Sequence, residues 1–419
     1  MKERFIAPAL ILTLITAAIL PCLSGCNKAT VAGAIDLMSG ISPQKVAADV
    51  DISEYEIEAI SFAVRLFQHS VSANENSMIS PVSVLCALAM TANGADGNTL
   101  AQMQEVFGLS IQDLNEFLHA FMENLQSDNK CKLSLVNSVW FKDDPSFQAE
   151  KAFLQINADY FGASIYKAPF NEKTLKDINT WVKNQTDGMI EDILDEIPPL
   201  AVMYLINAVA FDAEWQDIYK TSQVRSGSFN ALSGEKRDVK MMYSFEYSYL
   251  DDSRATGFIK RYSGGRYAFA ALLPNEGISI DDYISSLTGA GIAETLRSAQ
   301  TIKVDTAIPK FESRYNITMN DALKDMGMPD AFDSDLANLR KLGASSIGNL
   351  YIGRVIHKSF ISVDERGTKA GASTVVEIIP SSMPVQEETK TVHLDRPFVY
   401  MIIDSLTGIP LFIGTVLDL

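Results

Sequence analysis

Three features of the sequence predict an α+β fold built around a large mixed β-sheet. Apolar residues first recur at helical spacing, as at Ile57, Ile60, Val64 and Phe67. Apolar runs of strand length begin near Leu133 and continue to the C-terminus. Helical stretches separate the early strands, whereas the later strands follow one another closely, and this order is typical of α+β proteins.

The length of 419 residues and the 47% content of hydrophobic residues are sufficient for a sizeable core. Length alone would suggest about two or three domains. However, no linker rich in proline, serine or glycine, no charge block and no internal repeat interrupts the chain from about Glu54 to Leu419. We therefore expect one large domain over residues 54–419.

The first two helices are predicted from their apolar faces and their ends. The first is the amphipathic helix around residues 57–67. The second begins at Ser80-Pro81, because serine is a preferred N-cap and proline a preferred first residue. Gly94 is placed to end it. The apolar stripe of this second helix contains Val82, Leu85, Cys86 and Ala89. Two further helical stretches are predicted around residues 111–125 and 175–194.

Five apolar runs are long enough to be strands and lie at residues 133–141, 205–211, 267–273, 398–403 and 411–416. In the first two runs, Asn137 and Asn207 occupy positions where an apolar residue would continue the alternation. A buried amide must find hydrogen-bond partners. These two positions therefore predict an internal hydrogen-bond cluster.

The charge and the motif content exclude several classes of function. The formal net charge of −17 disfavours nucleic acid and a heparin-like polyanionic cofactor, because no stripe of Lys and Arg could neutralise such a ligand. The four histidines, His69, His119, His357 and His393, lack metal-binding spacing, and no CxxC motif or phosphate-binding loop occurs. Residues 343–348 approach GxSxG but miss its last glycine by one position. We expect no enzymatic site, no metal and no cofactor.

The N-terminus has the features of an export signal. Lys2 and Arg4 precede an apolar run at residues 5–20, which is short for a membrane span. The residues 23–26 (LSGC) resemble the lipobox of bacterial lipoproteins, in which the cysteine, here Cys26, is acylated and becomes the new N-terminus. An ordinary signal peptide cut nearby and an uncleaved anchor are the alternatives. We expect a lipoprotein signal peptide at residues 1–25, and a lipidated cysteine with a tether at residues 26–53.

Two cysteines, Cys86 and Cys131, remain in the predicted domain, because Cys22 leaves with the signal peptide and Cys26 takes the lipid. One pair cannot form a disulfide framework. Cys86 lies on the apolar face of the second helix, which predicts a buried, inert thiol rather than a disulfide or a reactive group.

The segment from Glu365 to Thr374 combines features of a strand and of a loop. When residues 368–379 are read with a period of two, the two charged residues, Lys369 and Glu377, lie on one face. The other face holds only small or apolar residues: Thr368, Ala370, Ala372, Thr374, Val376 and Ile378. Pro380, Met383-Pro384 and the polar residues 386–390 follow, and they are typical of an exposed loop.

Two interpretations of this segment remain open from composition. One is an ordinary edge hairpin with a long connection. The other is a switch that moves between an exposed loop and a central strand, with Gly367 as its hinge. Small residues on the inward face would let such a strand enter a packed sheet without overfilling its core.

Separated blocks of the sequence resemble the serpin family, and they occur in the family's order. Residues 76–83 (NSMISPVS) and 93–99 (NGADGNT) resemble its second-helix block, and residues 205–208 with Trp215 resemble the third strand of its large sheet, sheet A. Residues 309–311 (PKF), 323–332, 395–398 (DRPF) and 412–414 (FIG) complete the match. The chain is identified by these blocks as a member of the serpin family from Asn76 to Leu419.

The resemblance implies a serpin-like fold with further sheets beside sheet A, about eight or nine helices and an exposed reactive-centre loop at about residues 365–394. It also implies a suicide mechanism. A protease cleaves the loop and becomes acylated, and the freed segment then inserts into sheet A and carries the protease across.

Several site residues are implied by the same resemblance. Ser80, Ser83, Asn207 and His357 match the family's shutter, the polar cluster beneath the opening point of the sheet. Trp215 matches the breach, where insertion begins. Plain support of the core is the alternative role for each. The residues implied for the hinge are Glu365, Gly367, Thr368, Ala370, Gly371 and Ala372.

The family's usual register, counted from the hinge, implies that the reactive bond joins Ser381 and Ser382. Neighbouring bonds stay open, because the stretch up to Pro397 is longer than in typical members. A small residue after proline favours elastase-like or subtilisin-like serine endopeptidases as targets, with papain-like cysteine proteases as a further class.

These features predict a monomeric protease inhibitor, not an enzyme, whose partners are target proteases. We expect it to be exported and lipid-anchored to a bacterial membrane, at the periplasmic face or at the cell surface. The alternative is a non-inhibitory lipoprotein that uses the serpin fold as a scaffold for binding. Inhibition is favoured because the inward hinge positions carry no charged, bulky or proline residue.

Overall fold

Four β-sheets and nine α-helices form the part of the chain that the structure, a computed structural model, describes: residues 33–46, 50–125, 130–198, 201–345, 348–368 and 388–419. The strands are β1 (Ile35–Asp36), β2 (Ser77–Ile79), β3 (Cys131–Lys142), β4 (Gln148–Ala149), β5 (Ser164–Ala168), β6 (Met203–Glu214), β7 (Val224–Asn230), β8 (Lys236–Glu246), β9 (Tyr249–Asp251), β10 (Ala255–Arg261), β11 (Tyr267–Pro274), β12 (Lys303–Pro309), β13 (Phe311–Thr318), β14 (Gly343–Ala344), β15 (Arg354–Val363), β16 (Gly367–Thr368), β17 (Thr389–His393), β18 (Phe398–Asp404) and β19 (Pro410–Val416). The helices are α1 (Glu56–Ser70), α2 (Pro81–Ala92), α3 (Gly97–Phe107), α4 (Ile111–Asn124), α5 (Lys151–Phe161), α6 (Glu172–Gln185), α7 (Ile280–Ser286), α8 (Gly289–Arg297) and α9 (Asn320–Asp325).

The largest sheet has seven strands in the order β1-β5-β3-β6-β16-β15-β13 and corresponds to the predicted sheet A. It is mixed, because β3 pairs with β6 in antiparallel fashion whereas β6 pairs with β15 in parallel fashion. The prediction of an α+β fold with a large mixed sheet is therefore confirmed.

Three smaller sheets complete the fold. A six-stranded sheet has the order β2-β19-β18-β11-β10-β9, a four-stranded sheet has the order β17-β12-β8-β7, and β14 pairs with β4. The predicted strand at residues 267–273 is buried at every position as β11, and the C-terminal runs become the equally buried β18 and β19. The core lies between the seven-stranded and six-stranded sheets, where Phe211 packs edge-on against Tyr262 and Tyr267.

The second helix behaves largely as its sequence predicts. Every residue of α2 is buried, and Pro81 is its first residue. The helix ends at Ala92, two residues before Gly94. Ser80 occupies the N-cap position, but its hydroxyl makes no capping hydrogen bond. The predicted N-cap position of Ser80 is therefore confirmed, although its hydroxyl takes no part in capping.

The helix predicted at residues 175–194 is shorter than expected, because α6 ends at Gln185. Asp187 and Gly188 both have positive φ angles, which an α-helix does not accommodate. Beyond them, the side-chain oxygen of Asn179 accepts hydrogen bonds from the backbone N–H groups of Ile193 and Leu194 at 2.9 Å. The apolar residues that suggested a continued helix therefore lie in an irregular segment tied to α6.

Some residues of the predicted tether at residues 26–53 belong to the folded domain. Ile35 and Asp36 form β1, which pairs with β5 at the edge of the seven-stranded sheet, and Met38 is buried. The residues 52–54 form a short 3₁₀ turn before α1. The two paired residues of β1 are too few for a periodicity signal, so the sequence pattern could not indicate them. Residues 1–32, including the predicted signal peptide and Cys26, lie outside the described residues.

Cys86 and Cys131 are both buried, and neither forms a disulfide within the described residues. Burial raises the pKa of Cys86 to about 12, so this thiol is inert, as its position on the apolar helix predicts. None of the helices within the described ranges is long and apolar enough to span a bilayer.

The range predicted for the loop, residues 365–394, includes strand residues at each of its two ends. Gly367 and Thr368 already form β16 inside the seven-stranded sheet, and Thr389 begins β17 of the four-stranded sheet. The polar residues near Lys390 suggested a loop, but β17 pairs in parallel with β12 and buries Val392. Residues 369–387 lie outside the described residues.

Candidate functional site

The seven-stranded sheet is partly split at one end by β16. Gly367 pairs with Glu214, and Thr368 pairs with Ala213, both on β6. Thr368 also pairs with Val363 on β15. The first two residues after the predicted hinge turn therefore already occupy a strand position between β6 and β15.

Gly367 is required by the close approach of two backbones. A Cβ atom at this position would lie 1.9 Å from the carbonyl oxygen of Ala213. Contacts below 3.0 Å are not tolerated against backbone, so any other residue would push β16 away from β6. The glycine that the sequence suggested as a hinge is thus needed for strand pairing.

Thr368 points into the core. It is fully buried, and its Oγ1 lies 2.6 Å from the phenolic oxygen of Tyr262. The ring of Tyr262 stacks on Trp215 with centroids 4.4 Å apart and an interplanar angle of 11°. The inward orientation predicted for Thr368 from the period-two pattern is what the structure has.

Trp215, which the resemblance matches to the breach, holds the turn that precedes β16. Its indole Nε1 donates to the carbonyl of Asp364 at 2.8 Å, and its backbone N–H donates to the carbonyl of Arg366 at 2.7 Å. The backbone N–H of Tyr219 donates to the carbonyl of Glu365 at 3.0 Å. Three consecutive carbonyls of the turn are therefore bound by one short segment that follows β6.

Glu365, the first hinge residue, forms an ion pair with Lys310. The hydrogen bond from the Lys310 ammonium lowers the pKa of the Glu365 carboxyl. Both side chains are about one-third exposed, so the pair is screened by solvent and its contribution to stability is modest. Lys310 precedes β13, so the pair links the hinge turn to an edge strand of the sheet.

Below β16, direct pairing of β6 and β15 closes the sheet. Their parallel ladder runs from the pair Tyr204 and Arg354 to the pair Ala210 and Phe360. Parallel pairing is slightly less stable per residue than antiparallel pairing. The ladder is therefore the part of the sheet that an inserting strand would have to separate.

The four residues matched to the shutter, which are Ser80, Ser83, Asn207 and His357, lie in the middle of this ladder together with Asn137. We call these five residues the shutter cluster. The register puts Asn207 directly beside His357, and the imidazole Nδ1 lies 2.5 Å from the amide oxygen of Asn207. The amide nitrogen of Asn207 donates to Ser83 Oγ at 2.5 Å and to the amide oxygen of Asn137 at 2.6 Å. The predicted cluster around the two asparagines is therefore present.

The hydrogen bonds define the proton positions on His357. The backbone N–H of Ser80 donates to Nε2 at 3.0 Å, so Nε2 is an acceptor without a proton. The proton must then be on Nδ1, which donates to the amide oxygen of Asn207. His357 is fully buried, and this burial lowers its pKa to about 3. The histidine is consequently neutral at physiological pH.

Ser80 takes part in the shutter cluster through its backbone. Its Oγ is buried and has no hydrogen-bond partner among the residues that the structure describes. An unpaired buried hydroxyl costs free energy in the present arrangement.

The predicted site residues thus fall into three sets. Glu365, Gly367, Thr368 and Trp215 meet at the split end of the sheet, and Ser80, Ser83, Asn207 and His357 meet in the closed ladder. The third set lies outside the described residues and contains Ala370, Gly371, Ala372, Ser381, Ser382 and Cys26.

Two residues of the site were missed from the sequence. Tyr262 contacts both Trp215 and Thr368, and Lys310 pairs with Glu365. Lys310 was noted in a sequence block but was given no role. Tyr262 is the residue that follows β10. It is four positions after the buried Phe258, so a period of two places both side chains on the same face and could have predicted that Tyr262 is buried.

We predict that His357 makes the stability of the native fold depend on pH. Its folded-state pKa is about 3, and an unfolded histidine has a pKa near 6.5, so below about pH 6.5 protons bind preferentially to the unfolded state. The contribution of the neutral His357 to the free energy of unfolding is complete above about pH 6.5. It falls by roughly 1.4 kcal/mol per pH unit as the pH decreases toward 3. Between pH 7 and pH 4.5, urea unfolding should show a loss roughly 2–3 kcal/mol larger for wild type than for His357→Gln.

The control for this measurement is His69→Gln, at an exposed histidine of α1. That variant should keep the pH dependence of the wild type. If wild type and His357→Gln lost the same free energy of unfolding between pH 7 and pH 4.5, the result would contradict the buried neutral state of His357.

Comparisons with known proteins agree with this geometry. The family model described as Serpin (serine protease inhibitor) matches residues 58–419. A serpin-like protein of Thermococcus kodakarensis is 31% identical over 366 residues, which cover 85% of this chain and 84% of that protein. Leukocyte elastase inhibitor A of Mus musculus is 30% identical over 376 residues, which cover 85% of this chain and 97% of that protein.

Solved structures give the same result. The thermophilic serpin tengpin in its native state is 47% identical, with a TM-score of 0.89, and the match covers 92% of this chain and 100% of tengpin. Tengpin in its latent state, at 46% identity and with coverages of 90% and 100%, has a lower TM-score of 0.78. The sequence match over most of the chain and the agreement in fold show that this chain belongs to the serpin family of serine protease inhibitors.

Proposed function

We propose that the chain is a suicide inhibitor of serine endopeptidases, which cleave the segment between β16 and β17 and are trapped when it inserts into the seven-stranded sheet. The observation that carries this proposal is the position of β16 between β6 and β15. Among the described residues, Gly367 and Thr368 begin a strand at this position. A relative in mouse is named as an inhibitor of leukocyte elastase, which supports the same activity class.

The register of β16 gives the positions that an inserted strand would take. Thr368 pairs with Ala213 on β6 and with Val363 on β15, both in antiparallel fashion. Continuing both registers would bring Ala370 opposite Phe211 and Ile361. The register with β6 and the register with β15 remain consistent at every later residue. One extended strand could therefore pair with both neighbouring strands without a bulge.

The same register would bring Thr374 between Asn207 and His357. Insertion must separate these two residues and therefore break the hydrogen bond between His357 Nδ1 and the Asn207 amide oxygen. The alternation that points Thr368 inward would also point Thr374 inward. A threonine hydroxyl can accept a hydrogen bond from the Nδ1–H group of His357 and donate one to the amide oxygen of Asn207, so both separated groups would again have a partner.

The length of the sheet also fits the proposed reactive bond. In this register Ile378 would lie opposite Met203, the first residue of β6. Ser381 would follow just beyond the end of the sheet, about 40 Å from Thr368 at the usual rise per strand residue. A protease acylated at Ser381 would therefore be carried from one end of the sheet to the other.

We propose elastase-like or subtilisin-like enzymes as the targets, with papain-like cysteine proteases as a further class. The proposal rests on the small residue Ser381 after Pro380. A shallow apolar pocket accepts such a residue, whereas trypsin-like enzymes require Lys or Arg at this position.

We also propose that the protein is exported and held at a bacterial membrane by a lipid on Cys26. The support is the order of features in residues 1–26: basic residues come first, an apolar run follows, and a lipobox-like sequence ends at Cys26. Expression of a Cys26→Ser variant should move the protein from the membrane fraction to the soluble exported fraction. Retention of the variant in membranes would contradict lipid attachment at this cysteine.

Incubation of the full chain with pancreatic elastase and with subtilisin tests the inhibitory function. We expect an adduct that survives SDS, because an inserted strand traps the acyl-enzyme. Loop cleavage without any adduct would support the alternative, a non-inhibitory serpin-fold lipoprotein. Calorimetry also distinguishes an inhibitor from such a scaffold. The loop-cleaved inhibitor should melt many degrees higher than the intact chain, whereas a rigid scaffold should not.

Thr368→Arg should convert the inhibitor into a substrate. Thr368 is fully buried beside Tyr262, and a guanidinium there would be buried without a charged partner. We expect the number of inhibitor molecules consumed per protease inactivated to rise roughly tenfold or more. The matched control is Lys369→Glu, since Lys369 lies on the opposite face of the predicted strand. A wild-type stoichiometry for Thr368→Arg would rule out the proposed orientation.

Thr374→Val should weaken the inserted state and leave the native state unchanged. The valine keeps the shape of the side chain but leaves the separated His357 and Asn207 without the proposed bridge. Guanidinium unfolding of the loop-cleaved form should show a loss of about 1–3 kcal/mol. Ser373→Ala is the control on the opposite face. Equal stability of the two cleaved variants would argue against the register.

The peptide released after protease attack should begin at Ser382 and extend to Leu419. Mass spectrometry of the peptide, after denaturation of the cleaved chain, measures the bond directly. A peptide that begins several residues later would shift the reactive bond toward Glu387 and lengthen the inserted segment beyond the end of β6.

A further inference from the structure

The edge strand β1 fixes the place where the N-terminal segment joins the folded body. Ile35 on β1 pairs with Lys167 on β5. Lys167 also pairs with Phe141 on β3, which pairs in turn with Met203 on β6. These four residues form one row across the seven-stranded sheet, which we call the far row. The far row contains the first residue of β6, whereas β16 pairs with the last two residues of that strand. The N-terminal segment therefore joins the sheet at the end opposite β16.

The directions of the strands show from which side the chain enters the sheet. β1 is antiparallel to β5, β5 is parallel to β3, and β3 is antiparallel to β6. β1 consequently runs in the same direction as β6, from the far row toward the end that contains β16. The chain that leads into Ile35 therefore enters the sheet from beyond the far row.

The length of chain between Cys26 and β1 limits where a lipid on Cys26 could lie. Ile35 is nine positions after Cys26, and nine residues span at most about 32 Å in any conformation. Along β6, the distance from Met203 in the far row to Ala213, the partner of Thr368, is about 33 Å. The lipid would therefore not reach the split end of the sheet, but it would lie within reach of the far row.

We propose that the far row faces the membrane, and that insertion delivers the trapped protease to the bilayer surface. This inference rests on the proposed inhibitory function and on the proposed lipid at Cys26. In the register of β16, Ile378 would lie opposite Met203, so Ser381 would follow just beyond the far row. A protease acylated at Ser381 would arrive at the end of the sheet that the lipid anchor holds.

The space between the far row and the lipid is smaller than a protease. An enzyme of about 240 residues is roughly 45 Å across, whereas the chain keeps Ile35 within about 32 Å of Cys26. The insertion position between β6 and β15 is four strands from β1, or about 19 Å to one side, which is less than the radius of such an enzyme. The trapped protease would therefore be held against the bilayer. Before cleavage, the segment between β16 and β17 would meet the protease on the side away from the membrane.

Two labels at the ends of one strand test the orientation. Lys132 near the start of β3 and Asp143 directly after its end are both exposed, and they lie about 36 Å apart along the strand. The variants are Lys132→Cys and Asp143→Cys, and each introduced thiol carries a fluorescent donor, because Cys86 and Cys131 are buried. The lipidated full chain is purified and placed in phosphatidylcholine vesicles that contain an acceptor lipid.

We expect energy transfer to the lipid to be roughly threefold or more stronger from position 143 than from position 132, because the two labels differ by about 36 Å in height above the bilayer. The control is the same pair of labels on Cys26→Ser, which should show no transfer from either position. Equal transfer from both positions would mean that the sheet lies along the membrane. Stronger transfer from position 132 would mean that the split end faces the membrane, and either result would overturn the inference.

Delivery of the protease is measured with donor-labelled elastase or subtilisin, using whichever forms more adduct with wild type. The matched variant carries a helical spacer of about six EAAAK repeats after Thr30, which adds roughly 45 Å between the lipid and the folded body. Transfer from the trapped protease to the lipid should fall roughly threefold or more in this variant, and its inhibition stoichiometry should equal that of wild type. Equally weak transfer from both adducts would show that the protease is not brought to the bilayer.

The outcomes separate this inference from the proposals on which it rests. If the full chain is not recovered with membranes, the proposed lipid at Cys26 fails and the inference fails with it. If wild type forms no adduct with either protease, the proposed inhibitory function fails, and delivery to the bilayer fails as well. A chain that is anchored and forms the adduct, with equal transfer from positions 132 and 143, removes only the inference.

Discussion

The hydrogen bond between His357 and Asn207 is the constraint on which the rest of the structure depends. It joins β15 to β6 in the middle of the parallel ladder. The bond requires a neutral imidazole, and burial beneath the sheet keeps it neutral. The backbone N–H of Ser80 at the start of α2 fixes the tautomer. The fully buried helix α2 and the central strands are thus coupled through His357, and also through the hydrogen bond from Asn207 to Ser83 Oγ.

The split end of the sheet is supported by a different kind of interaction. Lys260 on β10 is 2% exposed and pairs with Glu246 at 2.8 Å, and its ammonium lies 4.5 Å from the ring centre of Tyr219 and 5.5 Å from that of Trp215. A buried ion pair is costly to desolvate, so it contributes orientation more than stability. Here it fixes the two residues whose backbone groups hold the hinge turn. The same pair links the six-stranded and four-stranded sheets.

Much of the fold could be predicted from local patterns. The buried strands β11, β18 and β19 were found because their apolar runs are continuous, and the cluster around Asn137 and Asn207 was found because two amides interrupted an alternation. The residues that complete the site are distant in sequence. No local pattern connects His357 to Asn207, which is 150 positions away, and only the family resemblance brought them together.

Other features depended on contacts that a sequence period does not encode. The ion pair between Lys310 and Glu365 exists because two turns meet at one end of the sheet. The edge strand β1 consists of two residues and has no period. The helix α6 ends early because Asn179 captures the backbone that follows it. In each case a tertiary contact that leaves no periodic signal in the sequence decided the local structure.

The two residues of β16 have a kinetic consequence for the proposed insertion. A strand that enters a sheet from solution must first find its register, and ordering the first pairs costs chain entropy before later pairs are gained. Here Gly367 and Thr368 already fix the register against both neighbours. The inserting segment can therefore add residue after residue, like the propagation of an existing helix, and its speed is set by how fast β6 and β15 separate ahead of it.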